Sequence, residues 1–445
     1  MRTRVMLAIV ATLFAGAMPL AGAMPLAHGV TARAPSVTAG SASVGRLTTG
    51  AELVRLTNVF AGTDTALADQ GTGGSAGNMS SAATAPFGML SWGPRTSPDS
   101  VAFGAGYTYS DTKITGFDLD RFQGGGCAGF GDVPIMPTTA PITSSPARLL
   151  SANMDPALTA TFDHAHESAS PGRYAVVLNP GTSRAIGVDL GATTRAGEGR
   201  ITFPRAARTG SVVVNAGGSE TPDVKAAVKI IPARREVEVT MRGGRFCEQP
   251  VAYTVHVLLR FDQPFASHAV WRRQLFREGG TTAVSHAPTG LGFVPGSGIP
   301  APPDALSDTA QSGAVLRFAV GTHRTVGVKV GMSYVSAHGA REALDREIGS
   351  RSLRQIQQRT AARWAYLMGR IRVSGGTPAD RRMLATTLYQ SLLSPQTVCD
   401  VDGRLPALDG RVHRAHGWTA YSQMSLWDEY RTHAQLLALI APRQA

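Results

Sequence analysis

Short runs of alternating and β-branched apolar residues recur along the middle of this chain, and that recurrence limits the fold more than any other feature. They include Tyr174–Leu178, Ala185–Leu190, Arg200–Phe203, Ser211–Asn215, Ala226–Ile231, Glu236–Met241, Tyr253–Phe261, Ala314–Val320 and Val326–Val330. Period-two alternation gives each run one apolar face, Gly, Pro, Asn and Asp fill the gaps, and no amphipathic helix intervenes. A sheet that is apolar on one face must cover it with another layer. The chain from about Leu53 to Val335 is therefore expected to form a large antiparallel β-sandwich. The pattern changes near Ala337. Ala340–Ile348 and Ser352–Met368 carry apolar residues at helical spacing, with Leu344, Ile348, Leu353, Ile356, Trp364 and Leu367 as candidate buried stripes. Thr377 or Asp380 caps a further predicted helix that runs to about Leu393 before Pro395, and Ser422–Ile440 predicts another. Two helices cannot bury all their apolar faces alone, so the expectation is a helical domain that the chain only begins. Its helices around Leu388 and Leu436 should present an apolar patch.

The first 34 residues have the composition of an export signal. Arg2 and Arg4 precede an apolar stretch from Val5 to Met18, and Ala21-Gly22-Ala23 or Ala32-Arg33-Ala34 offers a small-residue cleavage site. The stretch is shorter than the ~20 residues of a membrane span. A secreted or extracytoplasmic protein with no membrane span is expected. Residues 35–50 are rich in Ser, Thr, Ala and Gly and read as a linker, followed by a sandwich domain over 51–335, linker helices over 336–370 and a helical segment over 371–445. The formal charge is +12, yet arginines such as Arg195, Arg200, Arg205 and Arg208 are scattered singly. A nucleic-acid surface needs clustered basic residues with interleaved aromatics, so no nucleic-acid partner is expected. Cys127, Cys247 and Cys399 show no metal-site spacing and read as buried unpaired thiols, although one pair can form in an oxidising compartment.

Several local motifs carry chemistry only in the right setting. Gly73-Gly74-Ser75-Ala76-Gly77 matches the nucleophile elbow of serine hydrolases but lacks the strand and helix that elbow requires, and the overlapping glycine pattern from Gly71 lacks a dinucleotide fold. His164 and His166 alternate as on a strand, a spacing that permits one metal face or a cluster of hydrogen-bonded histidines. Asp400 and Asp402 fit either a hard-cation loop or a polar turn. In Ser425–Arg431, Trp427 beside Asp428 offers an apolar platform for a sugar ring and a carboxylate for its hydroxyls, whereas a helix start with dipole-matched acids is the alternative.

Read together, an ordered series of segments resembles the bacterial exo-acting α-mannosidases of glycoside hydrolase family 92, α-1,2-mannosidase-like. The series opens with Asn58–Thr63, Ala85-Pro86-Phe87-Gly88-Met89, Gly106–Tyr109, Ile114–Phe117 and Gly126-Cys127 with Gly131–Pro137. It continues with Ala169–Tyr174, Ala192–Gly197 and Val328–Ser333, then Leu388-Tyr389-Gln390, Asp400–Gly403 and Ser425–Asp428. The resemblance covers nearly all of the chain after the export signal.

This resemblance implies a β-sandwich followed by the start of an (α/α)6 catalytic barrel, with the active site at their interface. It implies α-mannoside glycans as substrate and a Ca2+ ion at the mannose hydroxyls. Chemistry in that family is inverting, with one carboxylic acid protonating the leaving oxygen and a carboxylate activating water. The acid and base are expected beyond Ala445, so the barrel is expected to be incomplete and this chain inactive alone, with the remaining barrel as a possible separate partner chain. The sugar contacts carried over are Trp427 and Asp428 from the helical side, with Trp92, Gly126 and Cys127 from the sandwich. The chain departs from the family at Phe117–Cys127, where Asp118, Arg121 and Gln123 replace small polar residues and His. A non-catalytic carbohydrate-binding or complex-forming sandwich is the alternative from another functional class, and a serine hydrolase using Ser75 is a third.

Overall fold

The computed structural model describes residues 46–64, 77–96, 106–124, 129–147, 156–219, 223–243, 253–287, 310–422 and 429–445. The expected export signal, most of the expected linker and Ser75 lie outside the described residues.

Two antiparallel sheets form the sandwich. One runs, in spatial order, through Ala83–Thr84, Ser91–Arg95, Gly116–Asp118, Ile135–Thr138, Thr209–Asn215, Ser312–Ala319, Ser267–Arg272 and Leu275–Glu278. The other orders Thr282–His286, Asp223–Ile231, Glu236–Gly243, Tyr253–Phe261, Thr325–Ser333, Ala196–Thr202, Ile186–Ala192, Arg173–Leu178 and Glu167–Ser170. Alternation sets the register: Tyr174, Val176 and Leu178 point inward from one strand, Val326, Val328 and Val330 from another. These side chains join one apolar core with Trp92, Phe117, Val213, Trp271 and Phe318 from the facing sheet.

Helices cover the outer side of the nine-stranded sheet. α1 spans Gly50–Leu56, α2 Ala337–Ala343, α3 Leu353–Met368, α4 Pro378–Gln390 and α5 His433–Ile440. The Ser336 hydroxyl caps α2 by accepting from Gly339 N, so this helix starts earlier than its apolar pattern predicts, and Leu344–Ile348 follows as a π turn. Ala340 and Leu344 pack on Leu258, while Ile348 and Ile356 pack on Ala196. Gly331 admits this approach, since a Cβ there would lie 2.0 Å from the Ala340 carbonyl oxygen.

Three expectations change. Thr48 and Thr49 do not belong to a loose linker: Thr48 N donates to Val373 O, and Thr49 caps α1. α1 packs on α3 and α4, bringing Leu53 into an apolar cluster with Trp364, Leu367, Leu388 and Tyr389. That docking buries Leu388, so the exposed apolar side chains on the helices are instead Tyr366, Met383 and Leu439. Finally, Tyr421–Ser422 is not the start of a helix. It pairs as a short strand with Gln396–Thr397, and α5 begins at His433.

Trp364 joins the two layers. It is fully buried, its Nε1 donates to Thr84 O at 2.9 Å, and its ring centroid lies 4.6 Å from that of Tyr389. Trp364→Ala is expected to cost about 3–5 kcal/mol in urea unfolding, and Trp364→Phe only the hydrogen bond and part of the packing, about 1–2 kcal/mol. Gly331→Ala should cost about 1–3 kcal/mol, because the α2 backbone must retreat. Equal stabilities for Gly331→Ala and the parent chain would show that α2 does not bear on that position.

Candidate functional site

The seam between sandwich and helices is built from three loops. The first is Ala85–Leu90, where Phe87 takes a left-handed backbone conformation at φ 56°. Its N–H donates to Leu392 O and its carbonyl accepts from Thr397 N, so this turn continues into the loop after α4. The buried Phe87 ring meets Tyr421 edge-on at 6.0 Å. The second loop is Thr193–Arg195, held because Met89 N and Leu90 N both donate to Thr194 O. The third is Val398–Gly403.

Glu347, on the π turn, fastens the second loop. Its carboxylate accepts from Thr193 Oγ1 at 2.6 Å, Arg195 N at 2.9 Å and Arg195 Nη1 at 3.0 Å. Arg195 Nε then donates to Cys399 O, which ties the third loop to the same point. Between these loops and α3 lies a cleft of about 620 Å³, lined by Phe87, Thr194, Arg195, Arg346, Glu347, Arg359, Arg363, Thr397 and Tyr421, among others. A second cleft of about 450 Å³ lies between the Asn58–Gly62 turn and α4.

The residues at the departure from the family pattern form an internal frame instead of a sugar-facing surface. Asp118 and Arg121 are fully buried and paired with each other, and Asp118 also accepts from Arg95 Nε at 3.1 Å. Gln123 bridges Ser80 N and Ser91 Oγ, and Gln396 Nε2 donates to Arg121 O from the helical side. Asp120 accepts from Asp132 N at 2.8 Å and from the Tyr334 hydroxyl, while Tyr253 donates to Asp132. Burial and the neighbouring Asp132 charge push Asp120 well above the usual carboxylate range, and burial raises Asp132 as well. Burying two neighbouring carboxyls disfavours ionising both. The frame includes residues before and after Gly126 and Cys127 in the chain, and these two lie outside the described residues.

Trp427 and Asp428 also lie outside the described residues, five and six positions after Ser422. Trp92 is placed in the sandwich core, its ring against Gly197 and Gly199, and it lines neither cleft. His164 and His166 occupy a 3-10 turn, not a strand, so their rings diverge. His164 stacks on Tyr109 at 3.7 Å and bonds Glu167, whereas His166 bonds Asp163. Asp402 is held by Arg404 and Arg414; burial alone would raise its pKa, but those hydrogen bonds and charges keep it below the usual range. Asp400 is buried beside Ser333 and Gly339. Cys399 is a buried free thiol, and Cys127 and Cys247 lie outside the described residues. Among the described residues no three His, Cys, Asp or Glu side chains converge as a metal shell. The residues that build the seam but escaped sequence reasoning are Glu347, Arg359 and Arg363. Only the four-residue spacing of the last two on a predicted helix signalled a shared face.

Two family profiles match in tandem. The glycosyl hydrolase family 92 N-terminal domain matches residues 56–333, and the glycosyl hydrolase family 92 catalytic domain matches 339–445. The chain is similar in structure to the gh92 family glycosyl hydrolase ccman5, with 27% identity and TM-score 0.72 over 88% of this chain and 47% of that one. It shares its fold with a family GH92 alpha-mannosidase from Bacteroides thetaiotaomicron, at 21% identity and TM-score 0.71 over 88% of this chain and 48% of that one. A family GH92 inverting mannosidase from the same organism aligns at 21% identity and TM-score 0.67 over 90% of this chain and 46% of that one. The chain spans about half the length of these solved structures. No curated protein sequence matches it.

Asp400 supplies a test of the seam's electrostatics. Burial pushes its carboxyl from the ordinary 3.8 up to about 6, against the lowering effects of Ser333 and of the Arg404 and Arg195 charges. The folded state therefore retains a proton that the unfolded chain releases between those values. The cost of the buried charge is fully present above about pH 6 and fades as pH falls toward 3.8. Asp400→Asn should raise stability by about 2 kcal/mol at neutral pH, with the gain shrinking below about pH 6. Chemical unfolding at several pH values reads this directly, and a gain independent of pH would contradict it.

Proposed function

The chain belongs to glycoside hydrolase family 92, and from that membership we propose that it serves an exported exo-acting α-mannosidase, contributing the sandwich side of the sugar site and the first helices of the catalytic domain. The tandem match of both family domains along one chain carries the reading. The seam geometry supports it, because residues of two sandwich loops, of α3 and of the paired Gln396–Thr397 and Tyr421–Ser422 strands line one cleft. In this reading Trp427 gives the mannose ring an apolar face, Asp428 accepts from its hydroxyls, and the Gly126-Cys127 loop closes the sandwich side. Residues 1–34 supply the export signal. Among the described residues no helix is long and apolar enough to cross a membrane.

Inverting hydrolysis needs two carboxyl groups ~6.5–9.5 Å apart with a water between them. The residues lining the two clefts include one carboxylate, Glu347, and that group is engaged by Arg195. The described carboxylates do not form a calcium shell either: Asp402 is taken by Arg404 and Arg414, and no third ligand joins Asp400. A calcium ion at the sugar would draw its ligands from other residues.

Calorimetric titration of the purified chain with α-1,2-mannobiose, with and without calcium, tests the proposal. Saturable binding without release of mannose is expected, weakened at least about tenfold in Trp427→Ala and in Asp428→Asn. Binding that both substitutions leave unchanged would remove these residues from the site. Mannose release by the purified chain would show that it carries its own acid and base.

A further inference from the structure

The larger cleft holds a charge imbalance that recognition of a neutral mannoside does not use. Arg195, Arg346, Arg359 and Arg363 line it against the single carboxylate of Glu347. Glu347 is committed to Arg195 and Thr193, and Arg346 pairs with Glu342. Arg363 gives one N–H to Thr194 Oγ1 at 2.7 Å, a neutral acceptor that leaves its charge uncompensated. Arg359 lies four residues earlier on the same face of α3 and has no hydrogen-bonding or ionic partner among the described residues. Two like charges at that spacing repel each other on a helix.

Part of the neutral donor set nearby is committed. The hydroxyls of Thr360 and Thr397 donate to Ala192 O and Ala420 O, and the one proton of the Thr193 hydroxyl faces Glu347 and Ala196 O. The donors left to a ligand therefore include the planar guanidinium groups, whose forked N–H pairs match an oxyanion. We propose that this cleft is a binding site for a tetrahedral oxyanion group of the phosphate or sulfate class, on a ligand that fits about 620 Å³, with Arg359 and Arg363 as its anchors. The inference does not rest on the α-mannoside reading, since it follows from charge and donor availability in the cleft alone.

Titration of the full chain with inorganic phosphate and, separately, with sulfate at constant ionic strength tests it. Saturable binding of at least one of the two is expected, weakened at least about tenfold by Arg359→Glu and by Arg363→Gln. Arg359 makes no internal bond among the described residues and is repelled by Arg363, so Arg359→Glu should not lower the unfolding midpoint and keeps the test readable if Arg363→Gln does not fold. Arg208→Glu makes the same charge change at an exposed arginine that does not line the cleft, and should leave binding intact. Absence of saturable binding, or equal weakening by Arg208→Glu and Arg359→Glu, overturns the proposal. Binding of glucuronate while phosphate and sulfate are inert would overturn the tetrahedral class in favour of a carboxylate.

Discussion

The seam depends on how closely helices can lie on a sheet. A β-sheet that carried ordinary side chains on its outer face would hold α2 and α3 too far away for Glu347 to reach Thr193 and Arg195. Gly331 and Gly191 remove that obstacle. A Cβ at Gly331 would strike the α2 backbone, and one at Gly191 would press on Leu353 and Gln357 at 2.9 Å. With the helices seated, Thr360 donates to Ala192 O and Gln357 to Asp189, so the layers are joined by hydrogen bonds as well as by apolar contact. Close approach comes first in this logic, and the cleft is its geometric consequence.

On the other side of the seam, polar burial does the work that packing does in the sandwich core. Buried charges that are paired and hydrogen-bonded can fix a chain segment without apolar packing. Asp118, Arg95 and Arg121 form one half of this frame, and Asp120, Asp132, Tyr253 and Tyr334 form the other. Such a frame tolerates the loss of a single member poorly, because each remaining charge would be left dry and uncompensated. The side chains that replace the family's small polar residues and His thus have a structural task in this chain.

Much of the fold was legible because it rests on periodicity. Tyr174, Val176 and Leu178 alternate in the sequence and alternate between core and surface in the sheet. α3 begins one residue after the predicted Ser352 and ends at the predicted Met368, with Ile356 and Trp364 buried as their spacing requires. Failures occurred where local pattern and tertiary pairing disagreed. Ser422 opens a stretch that reads as helical, but the loop after α4 offers it and Tyr421 a strand partner. His164 and His166 alternate as in a strand, yet the Asp163 cap winds them into a 3-10 turn. α1 was missed because its seven residues are too few for periodicity to register, and its stability comes from docking on α3 and α4.

By itself the sequence determined the class of the long, strongly periodic segments, since hydrophobic period and punctuation are local properties, and its ordered motifs determined the family. Tertiary structure alone decided which polar residues meet. Arg195 stands singly in the sequence, 151 positions before Arg346, and no basic run marks either. The sheet register and the glycine-mediated seating of the helices bring both to one cleft with Arg359 and Arg363. Charge acts through distance in space, and distance in space is what a linear pattern does not contain.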